Sequence, residues 1–554
     1  MRIRSSGILL TLALVLASCS FGVRRDPALA GAAAGPHDYP AYFEKAREMI
    51  SASEGGSKDR YFETDLIRFL DQWPEKVIET KADLLKELQQ ESSNHDATKH
   101  VRLIPPAGQP GYSELKAFVS HPYYLGDALQ PASNLIQVWR DFIQGARKEL
   151  ILNVFDFDLE EVAQDLVELR KKGVSVRVGI DANVIAARPE VKKVHDLLKN
   201  GGVEVTAVNP VSLNHQKVSA RDWSDPSIAA ALLSSGNLTH SCLDPEGDLH
   251  GIADRPKESV PNANHVLTMK SWLLANLLFH ELSKTLGPSL HLRGSQYPLT
   301  GAYQITGPGV DPATLEAYPE PSFIVTFTPG GGFGKTNESI LAQVIKQGKG
   351  PIRLVQFAYS SGPVADALLE RAEADLQSHK DFDFQGVGDT PFAMQFWSQI
   401  LKMSGLKRMQ TEGDKSRYAE DPESPWSKRI APKDLARIRE SVHIAPPVYG
   451  NHKVKLDGKS VDVTAKIHHK LMSVGSTAVV GTSFNFSQGA ENNNEQIAVF
   501  TDRELAKLVE GIARWLIEGS PRTVFEESER RNRLNAAEAD DEAVSENVGE
   551  TSNQ

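Results

Sequence analysis

His468-His469-Lys470, followed by Gly481-Thr482-Ser483-Phe484-Asn485-Phe486-Ser487 and then by Asn492-Asn493-Asn494-Glu495, is the stretch on which the reading of this chain turns. A looser copy stands earlier: His215-Gln216-Lys217 with Asp222, then Ser234-Ser235-Gly236-Asn237-Leu238-Thr239, then Asn262-Ala263-Asn264-His265. A single His-x-Lys carries no information, because histidine beside lysine is common on solvated surfaces. Two copies do carry it, since each is followed by Ser-x-Asn and each closes a similar succession of apolar runs. His468 and Asn485 are seventeen positions apart, whereas His215 and Asn237 are twenty-two apart. The first copy therefore holds loop insertions, one of them around Cys242, and an active-site rim and a neutral surface excursion are both open readings.

Working outward, Leu150 to Phe155 reads as a buried strand and Leu159 to Lys172 as an amphipathic helix closed by Gly173. Val174 to Ile180 is a second strand, a helix follows around Val191 to Leu198, and Val203 to Val208 is a third strand. The order recurs with a strand at Ile352 to Phe357, a helix at Val364 to Leu376 and a strand at Phe382 to Phe384. A long insertion rich in charge and proline then runs over roughly 405 to 450. Strands alternating with helices predict an α/β fold with mainly parallel pairing, and the recurrence predicts two copies of one unit.

These runs resemble the H-x-K-x4-D and G-S-x-N signature of the phospholipase D superfamily, over roughly residues 116 to 520. The resemblance implies two similar phospholipase D-like α/β lobes related by a pseudo-twofold axis, with one site between them. The chain itself would be a monomer carrying an intrachain pseudo-dimer site. It also implies roles. His215 attacks phosphorus, because a neutral imidazole can form a covalent phosphohistidine and split one hard displacement into two. His468 protonates the leaving alkoxide and later deprotonates the acceptor, a task suited to a group that titrates near neutrality. Lys217, Lys470, Asn237, Asn485, Ser235 and Ser483 hold the charge on the phosphate oxygens without a metal or other cofactor. By the same analogy Glu495 crosses the pseudo-twofold axis to orient His215, and His265, in the matching place, neighbours His468. Asp222 supports the fold. Its counterpart seven positions after His468 is Gly475, a departure from the pattern.

Composition bounds the rest. The formal net charge of −11 does not fit a strongly basic nucleic-acid binder. The two cysteines, Cys19 and Cys242, exclude a disulfide framework. Arg2 and Arg4 precede an apolar run from Ile8 to Ala17 that ends in Leu16-Ala17-Ser18-Cys19, similar to a bacterial lipobox. Residues 1–18 are thus expected to be a signal peptide and Cys19 the lipidated residue. With Ser20 after it, an outer-membrane anchor facing the periplasm is the expected destination. Residues 19–115 read as a spacer and a small N-terminal helical segment, 116–310 and 311–521 as the two repeats, and 522–554 as an acidic disordered tail. Gly330 to Thr336 looks like a phosphate loop, but Pro329 stands where its first glycine belongs, so a turn before a helix is expected. Trp139, Trp397 and Phe157 are assigned to core packing.

The expected function is metal-independent phosphodiester hydrolysis or transfer on a phospholipid at a membrane surface, as in the phospholipase D and cardiolipin synthase branches. The rivals are a periplasmic nuclease using the same chemistry and a degenerate, non-catalytic scaffold.

Overall fold

The computed structural model describes residues 100–103, 110–208, 212–247, 260–286, 302–306, 322–328, 336–410, 416–456 and 459–551. The signal segment, Cys19, the helical region expected before residue 100 and the glycine run before Thr336 lie outside the described residues.

The first lobe comprises β2 (Ser113–Val119), a small hairpin of β3 (Tyr123–Leu125) and β4 (Ala128–Gln130), α1 (Leu135–Gln144), β5 (Glu149–Val154), α2 (Glu160–Lys171), β6 (Ser175–Asp181), α3 (Ala182–Ala187), α4 (Pro189–Asn200), β7 (Glu204–Val208), β8 (Lys217–Arg221), β9 (Ala230–Ser234), α5 (His240–Leu243), β10 (His265–Lys270) and α6 (Trp272–Leu286). β1 (His100–Leu103) precedes it in the chain but pairs with the other lobe.

The second lobe comprises β11 (Ala302–Thr306), β12 (Ser322–Thr328), α7 (Thr336–Gln347), β13 (Ile352–Gln356), α8 (Gly362–Gln377), β14 (Phe384–Gly388), α9 (Thr390–Ala393), α10 (Gln399–Met403), β15 (Leu406–Gln410), β16 (Ser416–Glu420), α11 (Pro425–Arg429), α12 (Pro432–Glu440), β17 (Val442–Ile444), β18 (Gly450–Leu456), β19 (Lys459–Ala465), β20 (Lys470–Val474), β21 (Thr477–Val480), β22 (Glu495–Thr501), α13 (Arg503–Glu518) and α14 (Val524–Thr551).

The first sheet runs β2-β10-β9-β8-β5-β6-β7 and the second β1-β11-β12-β22-β21-β20-β13-β14-β17. Omitting β1 and β11, the two orders correspond strand for strand, so the duplication inferred from sequence is real in topology. Pairing is mixed, which corrects the expectation of mainly parallel sheets. Parallel pairing is confined to β5-β6-β7, β13-β14-β17 and the edge pair β1-β11, while the strands that begin with Lys217 and Lys470 run antiparallel to both neighbours. Short connections after each motif permit only antiparallel return, whereas helix crossovers precede it.

Apolar residues set the layers. Leu150, Leu152 and Val154 of β5 and Val176, Val178 and Ile180 of β6 pack under Val162 and Leu166 of α2 and Val191 and Leu198 of α4. Each such side chain contributes about 1.5–3 kcal/mol when fully buried. α2 has Glu160 and Glu161 in its first turn and Arg170 and Lys171 in its last, complementing the helix dipole. Trp139 and Phe157 are buried in this core, as expected, whereas Trp397 is only half-buried.

Three boundaries differ from the sequence reading. β11, placed there in the first repeat, is hydrogen-bonded within the second sheet. The stretch from 405 to 450 is not plain insertion: β15 and β16 form a hairpin, and β17 extends the sheet beside β14. The tail expected to be disordered is helix α14. Its start is fixed by Thr523 and Glu526, and Glu527 pairs with Arg530 and Arg531 one turn on. Asn532 then bonds the backbone of Tyr418 in β16.

Candidate active site

Alternate residues of a strand share a face, so His215 and Lys217, entering β8, project together, as do His468 and Lys470 entering β20. The loops before them are held alike. Asp181, at the end of β6, accepts from Asn214 N at 2.9 Å. Asp389, just past β14, accepts from Ile467 N at 2.9 Å. Burial pushes the Asp389 carboxyl up to about 7.

Each loop then pairs with the other lobe. Ala263 N donates to Lys466 O (2.7 Å) and His468 N to Ala263 O (2.9 Å), while Asn494 N donates to Leu213 O (2.8 Å). This reciprocal stitching brings both motifs to one place. The charges of Lys217 and His215 bear on His468, and that of Lys470 bears on His215.

His215 Nδ1 lies 2.9 Å from both oxygens of Glu495, which is fully buried and also accepts from Asn493 Nδ2 at 3.0 Å. The expected crossing of Glu495 to His215 is therefore present. A carboxylate there fixes the proton on Nδ1, leaves the Nε2 lone pair for attack and stabilises a positive ring.

The second half-site corrects the expectation for His265. His468 Nδ1 is bonded instead by Asn264 Oδ1, at 3.0 Å. The amide is oriented without ambiguity: Asn264 Nδ2 donates to Cys242 O (2.9 Å) and Asn262 O (3.2 Å), and Oδ1 also accepts from Ser235 Oγ (2.9 Å). An acceptor at Nδ1 puts the proton there and the lone pair on Nε2, 3.1 Å from Lys470 Nζ.

His265 turns the other way and joins a chain of imidazoles. Its Nδ1 is 2.9 Å from His469 Nδ1, and His469 Nε2 is 2.8 Å from His121 Nε2. Pro122 O can only accept from His121 Nδ1 (2.6 Å). The alternation of donors and acceptors is satisfied with all three rings neutral. Burial supports this, lowering His121 to about 4 and His265 to about 3. Cys242, whose loop the sequence left as rim or surface, is buried behind the site.

The lysines are the strongest electrostatic feature. Lys217 and Lys470 are fully buried, with Nζ donating to the carbonyls of His215 (2.6 Å) and His468 (2.8 Å). Each ammonium lies over an aromatic face, Phe155 at 5.5 Å and Phe357 at 5.3 Å. Burial lowers Lys217 to about 8, and burial together with the charge of Lys217 holds Lys470 well below the lysine range. Asn237 and Asn485, equivalent in the two lobes, each keep a buried Oδ1 with no partner among the described residues.

The two serines expected to bind phosphate are engaged by protein. Ser235 Oγ accepts from His265 N (2.9 Å), and Ser483 Oγ from Gln496 N (3.2 Å), so they hold the strands that carry His265 and Glu495.

The aspartate question also resolves. Asp222 (φ +54°) caps the backbone N–H groups of Arg147 (2.9 Å) and Lys148 (2.7 Å) at the mouth of β5, far from phosphate chemistry. Gly475 occupies the equivalent turn at φ +56°. The matching segment there is Lys349-Gly350-Pro351, in which Pro351 offers no N–H and Lys349 O would lie 2.0 Å from a Cβ on residue 475. A carboxylate at 475 has no room.

Sequence reasoning missed Asn264, Asn493, Asp181, Asp389, Phe155 and Phe357. Asn264 and Asn493 lay inside the quoted motifs, and each Phe ends a strand assigned from the sequence.

Fold and site together define a chain of two like α/β domains sharing one His/Lys centre. Residues 139–261, within the first lobe, match the family model described as cardiolipin synthase, PLD-like domain. No curated protein sequence matches the chain. Among solved structures, the chain is similar to the phosphatidylserine synthase of Haemophilus influenzae Rd KW20, with 10% identity over 77% of this chain and 93% of that one and a TM-score of 0.45. It is similar to Nuc, a phospholipase D family member of Salmonella typhimurium, with 15% identity over 31% of this chain and 93% of that one and a TM-score of 0.23. It is also similar to the polyphosphate kinase of Porphyromonas gingivalis, with 10% identity over 70% and 47% of the two chains and a TM-score of 0.38.

Proposed function

We propose that this protein is a metal-independent phosphodiesterase or transphosphatidylase that acts on phospholipids through a phosphohistidine intermediate. The observation that carries the reading is a charge deficit. Two buried lysines and two imidazoles converge where, among the described residues, the one carboxylate touching either catalytic ring is already committed to His215. Burial and mutual repulsion disfavour these two cations, and a phosphodiester anion relieves both.

In this mechanism the anion settles between Lys217, Lys470 and the amides of Asn237 and Asn485. Its charge raises the affinity of His468 for a proton. His215 Nε2 attacks phosphorus, and the P–O bond to the leaving alcohol breaks as His468 delivers its proton to that oxygen. His468, now neutral, takes the proton of water or of an alcohol. That oxygen attacks phosphorus and releases His215. Glu495 stabilises the positive ring throughout.

Phospholipid is the favoured substrate because a chain tethered through a lipid on Cys19, at the periplasmic face of the outer membrane, has head groups within reach. Protein lacking residues 1–19 is expected to release head group from phospholipid vesicles in EDTA. Activity on plasmid DNA but not on vesicles would make it a nuclease, and no turnover of any phosphodiester would make it a scaffold. His215→Ala should abolish turnover, and His468→Ala should accumulate the phosphoenzyme, detectable by mass spectrometry.

A further inference from the structure

The rim of the second half-site is aromatic out to the surface. Phe357 stands edge-on to the His468 ring at 4.8 Å, Phe392 of α9 packs on Phe357 at 4.3 Å, and Trp397 lies 5.9 Å from Phe392. Phe357, Phe392 and Trp397 are all half-buried, and the run ends beside Phe396, which is 65% exposed, the most exposed large apolar side chain among the described residues. Nothing in core packing requires a phenylalanine there. Lys466, half-buried, places its ammonium 5.9 Å from the Phe357 ring. Its counterpart two residues before the other catalytic histidine is Leu213, itself 39% exposed. The approach to the two histidines is thus bordered by apolar side chains from both lobes and by one lysine, on a protein whose overall charge is negative.

We infer that this rim, with Phe396 at its apex, docks on the surface of an anionic phospholipid bilayer and seats the site over the head groups. The inference rests on the phospholipid reading above and deepens it. An aromatic ring at the headgroup boundary beside a basic side chain is the pairing that interfacial segments use. Apolar burial supplies affinity, and lysine supplies preference for anionic lipid. The aromatic continuity from Phe396 to His468 ties the docked surface to the reacting centre. A lipid tether sets only nearness to the membrane, whereas this rim sets which face of the protein is turned to it.

The test uses protein lacking residues 1–19, so that neither the apolar leading segment nor a tether masks the affinity of the surface itself. Partition onto vesicles of phosphatidylglycerol and phosphatidylethanolamine is measured by sedimentation, beside turnover of a soluble chromogenic phosphodiester. Phe396→Ser is expected to weaken partition about tenfold or more, as loss of one inserted aromatic side chain requires. Turnover of the soluble diester should be unchanged, and Phe396→Trp should restore partition. Leu129→Ser, at an equally bare position (57% exposed) on the β3–β4 hairpin, should leave partition intact. The inference is overturned if Phe396→Ser partitions like the parent, if Leu129→Ser loses as much, or if phosphatidylcholine vesicles bind equally well. It is overturned too if Phe396→Ser loses retention of a single-stranded oligonucleotide and not of vesicles. Failure of the catalytic reading is separate: the parent would then bind vesicles through Phe396 yet turn over no diester.

Discussion

Glu495→Gln isolates what the buried carboxylate does. In the resting site both Glu495 oxygens sit 2.9 Å from His215 Nδ1. The ring is neutral before attack and positive once phosphorus is bound to Nε2, so the carboxylate acts on the difference. With charge centres about 4 Å apart and an effective dielectric constant of about 20, that difference is worth about 4 kcal/mol. This corresponds to roughly a thousandfold in rate. The expected outcome is a fall in kcat of about that size with KM nearly unchanged, because the substrate touches the lysines and not Glu495. Initial rates on a chromogenic diester at pH 7, with rapid quenching to see formation of the phosphoenzyme, make the measurement. Gln is nearly isosteric and still accepts from Asn493, so the melting temperature serves as a check on folding. If Glu495→Gln retained more than a tenth of parental kcat, or if the loss fell only on release of the phosphoenzyme, the assignment of His215 as nucleophile would be refuted.

Three further outcomes follow from buried charge and backbone. Inorganic phosphate in EDTA should raise the melting temperature at pH 7, and the rise should shrink as pH passes about 8, where Lys217 loses its proton. Because the Lys217 pKa is lowered in the fold, the protein without added phosphate gains stability from this group as pH climbs from 8 towards the ordinary lysine value. For Asp389 the sign is opposite. A carboxyl raised from 3.8 to about 7 favours the fold most below the lower value, and that contribution is lost as pH rises through the upper one. Asp389→Asn should therefore gain on the parent between pH 4 and 8 in urea unfolding, by at most about 4 kcal/mol, and a gap independent of pH would contradict this. Gly475→Asp, which restores the family residue, should destabilise by at least about 1–3 kcal/mol through the strained φ alone. It should also fail to raise turnover, since Lys349 O occupies the space.

Much of this architecture was readable from residues. The apolar runs that became β5, β6, β13 and α8 announced themselves by period, and the paired His-x-Lys motifs placed a half-site at the end of each repeat. Other features depended on geometry that spacing does not encode. His265 and Glu495 both open equivalent strands, yet one ring reaches His469 while the carboxylate reaches His215, because Asn264 fills the position beside His468. Ser235 and Ser483 match a phosphate-binding motif, but the backbone N–H groups of the next strand claim their hydroxyls. The missing aspartate at 475 looked like decay, and only the segment facing it, with the Lys349 carbonyl where a Cβ would stand, shows why a glycine belongs there. The helix α14 was hidden by its acidity: composition alone cannot see that Glu527 finds two arginines one turn away.

The unequal partners of the two histidines have a consequence for how such a centre can be tuned. A pair of identical subunits around a true twofold axis must set the same side chain beside both rings, so any change that helps one imidazole burdens the other. Here the two halves lie on one chain, and an anion stands behind one ring while a neutral amide stands behind the other. Attack and proton delivery can then be adjusted by independent substitutions. Either adjustment must be made in the opposite lobe from the histidine it serves.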